Sequence, residues 1–143
     1  MVRVQRSLTG AMDRSLSAAF GHSLDEYDVL HQLSSAESPM RMGDLAERLL
    51  VANSSCHRLV GRLVNASMVE RLRGESDRRE VLVELSPEGR RLHRRMAAHH
   101  GRDIETLFSE RLSPQVQSVI RAAFARLSAS TELLGGVDPG QSA

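Results

Sequence analysis

An excess of arginine over acidic residues is confined to one short stretch of this chain of 143 residues. All nineteen basic residues are arginine, and residues 53–79 carry six of them against three acidic residues, which leaves a local net charge of +3. The preceding residues 1–52 have a net charge of −2, and the following residues 80–143 have a net charge of 0. If the protein binds a polyanion, residues 53–79 are where we expect it to bind. The alternative from the charge excess by itself is a solvated face.

Histidine and cysteine side chains offer two further kinds of chemistry. His93 and His100 are seven residues apart, on one face of a helix. His99 precedes Asp103 by four residues, a spacing that can hold a metal ion. We interpret these residues as ordinary histidines and expect neither a metal site nor a cofactor. Cys56 is the only cysteine, which excludes an internal disulfide and a multi-cysteine zinc site. We expect it to be a small core residue, with a redox switch as the alternative.

The composition argues against several classes of protein. Aromatic residues make up 3% of the chain, too few to form stacking platforms for single-stranded nucleic acid. The sequence has no glycine-rich phosphate loop, no Ser-His-Asp grouping and no paired carboxylates in an apolar setting, so we do not expect an enzyme. No apolar run approaches the roughly 18 residues of a membrane span, and no apolar leader precedes the first polar residues. We expect a soluble, cytoplasmic, single-domain protein without a membrane partner.

Hydrophobic spacing predicts the elements that must position these residues. Apolar residues recur every three to four positions in six segments, which predicts six helices. These segments are 8–20, 24–33, 42–49, 53–64, 87–108 and 114–134. Ser23 and Glu26 form a capping box before the second helix, and Asn53–Ser55 offers N-cap chemistry for the fourth. Residues 69–72 and 81–85 alternate with a period of two around a polar loop, which predicts a β-hairpin.

This order of elements is typical of a winged helix-turn-helix fold, mainly α-helical (α+β), in which two short helices joined by a tight turn precede a hairpin. We expect the winged DNA-binding region to span residues 23–86. Residues 1–22 and 87–136 carry apolar stripes without a partner in their own chain, so we expect a helical dimerisation region there. Residues 137–143 are expected to be a flexible tail.

Several segments together resemble the MarR family, the multiple-antibiotic-resistance regulators. The most specific part is the loop 75–79, with its sequence Glu-Ser-Asp-Arg-Arg, followed one strand later by Leu-Ser-Pro-Glu-Gly at 85–89. The segments 23–30, 42–49 and 54–63 add to it, and the resemblance covers roughly residues 8–134. It implies a homodimeric transcriptional regulator, most often a repressor in this family, that binds a palindromic operator in double-stranded DNA.

The resemblance also implies which residues contact DNA. The helix near residue 53 is similar to the family's recognition helix, which reads the major groove, and the hairpin is similar to its wing, which enters the minor groove. The matched positions are Asn53, Ser54, Ser55, His57, Arg58, Arg62, Arg73, Asp77, Arg78 and Arg79. By this match Ser54, Ser55 and Arg58 face bases or phosphates, and Arg62 meets the DNA backbone. Arg79 is the wing-tip arginine, held by an ion pair with Asp77.

Two positions depart from the family pattern. Ser67 stands where the family usually has glycine at the end of the recognition helix, so we expect a strained left-handed residue there. Ala52-Asn53 replaces the more usual polar pair before that helix, a difference that bears on base preference.

The resemblance further implies an effector cavity between the dimer helices and the winged region, which often takes small aromatic acids or phenols. Arg14, Tyr27 and His31 are the candidate effector residues. Zinc-sensing members exist, but the acidic and cysteine partners of their sites are absent from this sequence. Two alternative functions stay open: a winged-helix module that binds protein, and an architectural DNA binder without an effector.

Overall fold

Six α-helices and three short strands follow the order that the hydrophobic spacing predicts, in a computed structural model that describes residues 2–73, 81–109 and 112–135. The elements are α1 Val2–Phe20, α2 Leu24–Ser35, β1 Met40–Arg41, α3 Met42–Leu49, α4 Asn53–Asn65, β2 Val69–Arg73, β3 Val81–Leu85, α5 Pro87–Ile104, a π-helical turn Glu105–Ser109, and α6 Pro114–Gly135. The mainly α-helical winged helix-turn-helix architecture expected from the sequence is confirmed. The chain divides into two units, the first ending at Asp103 and the second beginning at Ile104.

One apolar core holds the first unit together. Its fully buried side chains come from α1 to α5 and from the sheet: Leu16, Val29, Leu30, Leu45, Cys56, Val60, Leu63, Val69, Val83 and Met96. Burying one Leu or Val side chain contributes about 1.5–3 kcal/mol. Leu92 and Met96 of α5 belong to this core, so the first part of α5 packs with the winged region. The expected boundary at residue 86, between the DNA-binding region and the dimerisation region, concerns function and not compactness, and it stays a prediction.

The capping box predicted at the start of α2 is present. The Ser23 hydroxyl accepts a hydrogen bond from the Glu26 N–H at 3.1 Å, and Oε2 of Glu26 accepts one from the Ser23 N–H at 3.2 Å. Asp13 on α1 adds a third acceptor, because its Oδ1 binds the N–H of Leu24 at 2.8 Å. These bonds satisfy backbone donors at the N-terminus of α2 and attach α1 to it.

The strands form an antiparallel sheet in the order β1–β3–β2. In the β2–β3 hairpin, Arg71 pairs with Val83, and Met40 of β1 pairs with Val83 from the other side. The hairpin confirms the predicted change of period. Strand β1 was not predicted, because its two residues are too few for an alternating pattern.

Ser86 and Gly89 attach the hairpin and α5 to the segment that follows α4. The Ser86 hydroxyl donates to the carbonyl of Ser67 at 2.7 Å and accepts from the Gly89 N–H at 2.9 Å. The Ser86 N–H donates to the carbonyl of Met68 at 3.1 Å. A Cβ at position 89 would lie 1.9 Å from that carbonyl oxygen, so only glycine fits there. The Leu-Ser-Pro-Glu-Gly motif therefore has a structural role, since it caps α5 and joins it to the end of α4.

Helix α4 begins without a side-chain cap. Its N-cap residue is Ala52, whose carbonyl accepts from the N–H groups of Ser55 at 2.9 Å and Cys56 at 3.0 Å. The expectation that Asn53–Ser55 supplies the N-cap is therefore wrong, because Asn53 is already the first helical residue.

The C-terminus of α4 is a Schellman motif centred on Ser67. Ser67 has a φ of 62°, and its N–H donates to Val64 while the N–H of Met68 donates to Leu63. The left-handed residue expected at this position is confirmed. For a residue with a Cβ this conformation costs about 1–2 kcal/mol.

The apolar stripes expected near the termini are partly covered. On α1, Leu16 is fully buried, whereas Leu8 and Met12 are half-buried. In the second unit, Val116 and Val119 of α6 are 44% and 68% exposed. The predicted tail 137–143 lies outside the described residues.

Among the described helices, none combines the length and the apolar character that crossing a bilayer requires.

Candidate nucleic-acid interface

The outward face of α4 carries the polar residues that the sequence analysis selected. Asn53, Ser54, His57 and Arg58 are exposed and Ser55 is half-buried. The opposite face is buried and consists of Cys56, Leu59, Val60 and Leu63. Nη2 of Arg58 donates to the hydroxyl of Ser55 at 3.4 Å. A helix divided in this way can offer its polar face to a groove while its apolar face stays in the core.

A tight turn between α3 and α4 sets the direction of α4. Leu50 adopts the left-handed conformation with a φ of 55°, and its N–H donates to the carbonyl of Glu47 at 3.1 Å. The N–H of Val51 donates to Ala46 at 3.1 Å and completes the turn. The uncapped N-terminus of α4 follows directly, and its partial positive charge favours an anion.

A buried carboxylate holds Arg62, which lies one turn after Arg58. The Nε of Arg62 donates to Oε1 of Glu26 at 2.7 Å, while the Arg62 side chain stays 53% exposed. The other oxygen, Oε2, lies 3.0 Å from Nδ1 of His22. Burial raises the pKa of the Glu26 carboxyl. Hydrogen bonds from Arg62, His22 and the backbone of Ser23 lower this pKa by more, so it lies below its usual value.

Arg58 and Arg62 line the same open cleft beside α4, together with Ser55. Its volume is about 380 Å³, and Asp25 of α2 also lines it. Two guanidinium groups thus face one surface, with acidic residues of α2 next to them.

The wing is described only in part. Arg73 is exposed at the end of β2, and Arg71 is exposed two residues earlier on the same strand. Sequence reasoning had not selected Arg71. Asp77, Arg78 and Arg79 lie outside the described residues, so their contribution to the wing stays a prediction.

Two of the three candidate effector residues, Tyr27 and His31, come together with two histidines of α5. The Tyr27 ring stacks on His31 at 5.8 Å and on His93 at 5.9 Å, and its centroid is 5.0 Å from that of His100. Nδ1 of His31 and Nε2 of His93 are 3.2 Å apart. These four residues are named the ring cluster below. The third candidate, Arg14, is exposed on α1.

Burial favours the neutral form of the α5 histidines in the ring cluster. It lowers the pKa of His93, and the neighbouring charges of His31 and Arg94 lower it further. Burial also lowers the pKa of His100, more than the nearby carboxylates of Asp28 and Asp103 raise it. A neutral imidazole can both donate and accept hydrogen bonds, so His93 and His100 place this capacity beside the ring of Tyr27.

The remaining chemical candidates from the sequence are the metal-ligating residue types and the thiol of Cys56. In the portion of the chain that the structure describes, no group of three or more His, Cys, Asp or Glu side chains is arranged to hold a metal ion. Cys56 is fully buried, its Sγ lies 3.8 Å from the carbonyl of Met42, and burial raises the pKa of its thiol. A raised pKa disfavours the thiolate, which is the reactive form, and burial keeps reagents away from the sulfur. These properties are typical of a core cysteine.

Sequence reasoning missed the contact that Glu26 makes with Arg62 of α4. The capping box already explained a glutamate at this position, and Arg62 is 36 residues further along the chain. No local pattern connects two residues at that separation. The sequence did place a glutamate among the apolar residues on the buried face of α2, and this placement could have indicated a buried partner for its charge.

The fold and the polar face of α4 define a winged helix-turn-helix protein. A sequence model of the MarR family matches residues 20–80. The HTH-type transcriptional regulator PecS of Dickeya dadantii (strain 3937) is 29% identical over 117 residues, which are 76% of this chain and 70% of PecS.

Solved structures extend the likeness to nearly the whole chain. AbsC, a MarR family transcriptional regulator from Streptomyces coelicolor, is 30% identical with a TM-score of 0.80, and the match covers 92% of this chain and 88% of AbsC. Sco3205, a MarR family transcriptional regulator from the same organism, was solved in complex with DNA. It is 26% identical with a TM-score of 0.81, over 97% of this chain and 84% of Sco3205.

The chain belongs to the MarR family and is a DNA-binding transcriptional regulator. The family resemblance drawn from the sequence is confirmed, and the alternative of a winged-helix module that binds protein is not favoured.

Proposed function

We propose that the protein is a homodimeric, effector-responsive repressor that binds a palindromic operator through α4 and the wing. In this arrangement α4 lies in the major groove, where Arg58 and Ser55 reach base edges. Arg79 of the wing enters the minor groove. The observation that carries the proposal is the division of α4 into a buried apolar face and an exposed polar face.

A homodimer is the second part of the proposal, with residues 1–22 and 87–136 as the dimerisation region. The half-buried Leu8 and Met12 and the exposed Val116 and Val119 support it, because apolar side chains in stripes are typical of interfaces. Sedimentation at micromolar concentration tests it, and a single species of 15.8 kDa would contradict it.

The ring cluster is the proposed effector site, with a small aromatic acid or phenol as its ligand. An aromatic ring can stack against Tyr27, and a phenolic hydroxyl can bond to the imidazole of His31 or His93. Arg14 is kept as a candidate partner for a carboxylate. The cluster joins α2 of the winged region to α5, so a ligand bound there would act on both.

We further propose that the chain has no catalytic activity and acts in the cytoplasm. The relatives above are transcriptional regulators, which supports the first part.

A mobility shift with the DNA that flanks its own gene tests the proposal. We expect binding that a panel of phenolic ligands weakens, and we expect His31→Gln to keep DNA binding while losing part of the response. Binding that every ligand leaves unchanged would favour an architectural DNA binder. Equal affinity for flanking and unrelated DNA would contradict an operator-specific repressor.

A further inference from the structure

Glu26 is a buried carboxylate whose two oxygens serve different elements. Oε2 closes the capping box of α2 and meets His22, while Oε1 accepts from Arg62 on α4. Within the described chain, Glu26 and Ser86 are the buried polar residues. The capping box alone needs one carboxylate oxygen, so the bond to Arg62 is additional to it.

The bond to Glu26 uses the Nε of Arg62 and leaves the two terminal amino groups of the guanidinium for another partner. A guanidinium has five N–H donors in a fixed plane, and the Nε carries one of them. The Arg62 side chain is 53% exposed and lines the cleft that Arg58 also lines. One edge of the guanidinium therefore binds the protein, and the other edge lies on the surface proposed to meet DNA.

We propose that Glu26 is a positioning residue for DNA recognition, which orients the guanidinium of Arg62 toward the operator backbone and favours operator over unrelated DNA. This inference rests on the proposed function, because it takes α4 as the recognition helix.

One physical effect gives Glu26 this role. A free arginine side chain carries roughly 2 kcal/mol of rotamer entropy, and a side chain ordered before binding loses less of it on the operator. This gain is largest where the protein is held in one register, because only there does the oriented guanidinium meet the same phosphate each time. The negative charge of Glu26 also offsets part of the Arg62 charge, which reduces the attraction to operator and unrelated DNA alike. The orientation of Arg62, and not the charge of Glu26, therefore widens the ratio between operator and unrelated affinities.

The test compares the dissociation constants for a selected operator and for an unrelated duplex of equal length. For Glu26→Ala we expect a loss of operator affinity of about tenfold, with affinity for the unrelated duplex unchanged or raised. Glu26→Gln keeps one oxygen that can accept from Arg62, while its amide nitrogen takes the place of the oxygen that accepts from the Ser23 N–H. We therefore expect it to retain most of the operator preference but to lower the free energy of unfolding. In a protein that already carries Arg62→Ala, adding Glu26→Ala should leave the ratio of operator to unrelated affinity unchanged, because Glu26 then has no guanidinium to orient.

Asp25→Ala is the matched control. Asp25 lies in the same turn of α2 as Glu26, and it lines the cleft that Arg58 and Arg62 also line. This substitution removes one negative charge but leaves the bond between Glu26 and Arg62 in place, so the affinities for the operator and for the unrelated duplex should rise alike.

A purely structural role of Glu26 predicts that Glu26→Ala lowers both affinities equally, and this result would overturn the inference. If Glu26→Ala does not fold, the same two affinities are measured for Glu26→Asp, whose shorter side chain moves the carboxylate away from Arg62. An unchanged ratio in Glu26→Asp would also overturn the inference. Wild-type protein without any operator preference would instead show that the proposed function fails.

Discussion

Gly89 at the start of α5 packs directly against the carbonyl oxygen of Met68, so closely that a Cβ at position 89 would lie 1.9 Å from it. The contact joins α5 to the segment between α4 and the hairpin, and the Ser86 hydroxyl bridges the same two segments. The recognition helix is thereby fixed at its C-terminus to α5, the helix proposed to contribute to dimerisation.

Gly89→Ala should destabilise the protein strongly, because backbone and not a flexible side chain occupies the space. We expect the free energy of unfolding to fall by about 2–3 kcal/mol, as for overpacked core sites. Gly101→Ala is the control, since a Cβ there meets nothing within 4 Å. In a helix interior this control should stabilise by about 0.5–1 kcal/mol. Urea denaturation measures both, and equal effects would show that the close contact does not form.

Ser67→Gly should stabilise the protein, because Ser67 holds a left-handed conformation with a φ of 62°. Relief of this strain, less the greater entropy of glycine in the unfolded chain, leaves a gain of about 0.5–1 kcal/mol. Ala98→Gly, within α5, should have the opposite sign and cost about 1 kcal/mol. A decrease in the midpoint of thermal unfolding for Ser67→Gly would contradict the assigned turn.

Local patterns in the sequence predicted those parts of the fold that depend on local chemistry. The Ser23–Glu26 capping box and the buried stripe of α4 each follow from spacing or residue type within a few positions. The left-handed residue at Ser67 was instead expected from the family resemblance, since serine itself does not indicate this conformation. Strand β1 was missed because it has two residues, and the N-cap of α4 was misplaced because Ala52 fills it without a side-chain bond.

The candidate site depended on contacts between distant segments, which local patterns do not encode. Tyr27 and His31 were selected from the sequence, but their ring partner His93 is 62 residues from His31. The same holds for Glu26 and Arg62, which meet only when α2 packs against α4. In both cases each residue had a sufficient local explanation, so its tertiary partner left no trace in spacing.

Cys56 should be chemically inert in the folded protein, because its side chain is buried and burial raises the pKa of its thiol. A thiol reagent should label it only as the protein unfolds in denaturant. Cys56→Ser should lower the free energy of unfolding by about 1–2 kcal/mol, since it buries a hydroxyl in an apolar site. If peroxide releases the wild-type protein from DNA but leaves the variant bound, Cys56 is a redox switch.

The half-buried histidines His93 and His100 of the ring cluster should make the protein less stable in mild acid. Because the pKa values of His93 and His100 are below their usual 6.5 in the folded state, the unfolded chain binds protons first as the pH falls. The free energy of unfolding should therefore be highest above pH 6.5 and decrease as the pH falls through the lowered values.

Thermal unfolding of His93→Gln at about pH 7.5 and about pH 5.5 checks this prediction, since histidine is the side chain whose ordinary pKa lies in that range. The variant should lose less stability on acidification than the wild type. His57→Gln, on the exposed face of α4, should behave as the wild type does. The same loss in His93→Gln as in the wild type would assign the acid sensitivity to other groups.

The two DNA-contacting elements should respond differently to the loss of one arginine. Arg58 lies near the start of α4 and can reach a guanine edge, so Arg58→Ala should cost about 1–3 kcal/mol and relax preference at one position of each half-site. Arg79, which the family resemblance places at the wing tip, should read groove width in the minor groove. Arg79→Ala should therefore weaken binding to nearly all sequences alike and lower the salt slope by about one per subunit. A binding selection on randomised operators at two salt concentrations measures both effects. If Arg79→Ala changes the preferred major-groove bases while Arg58→Ala leaves them unchanged, the two roles are assigned wrongly.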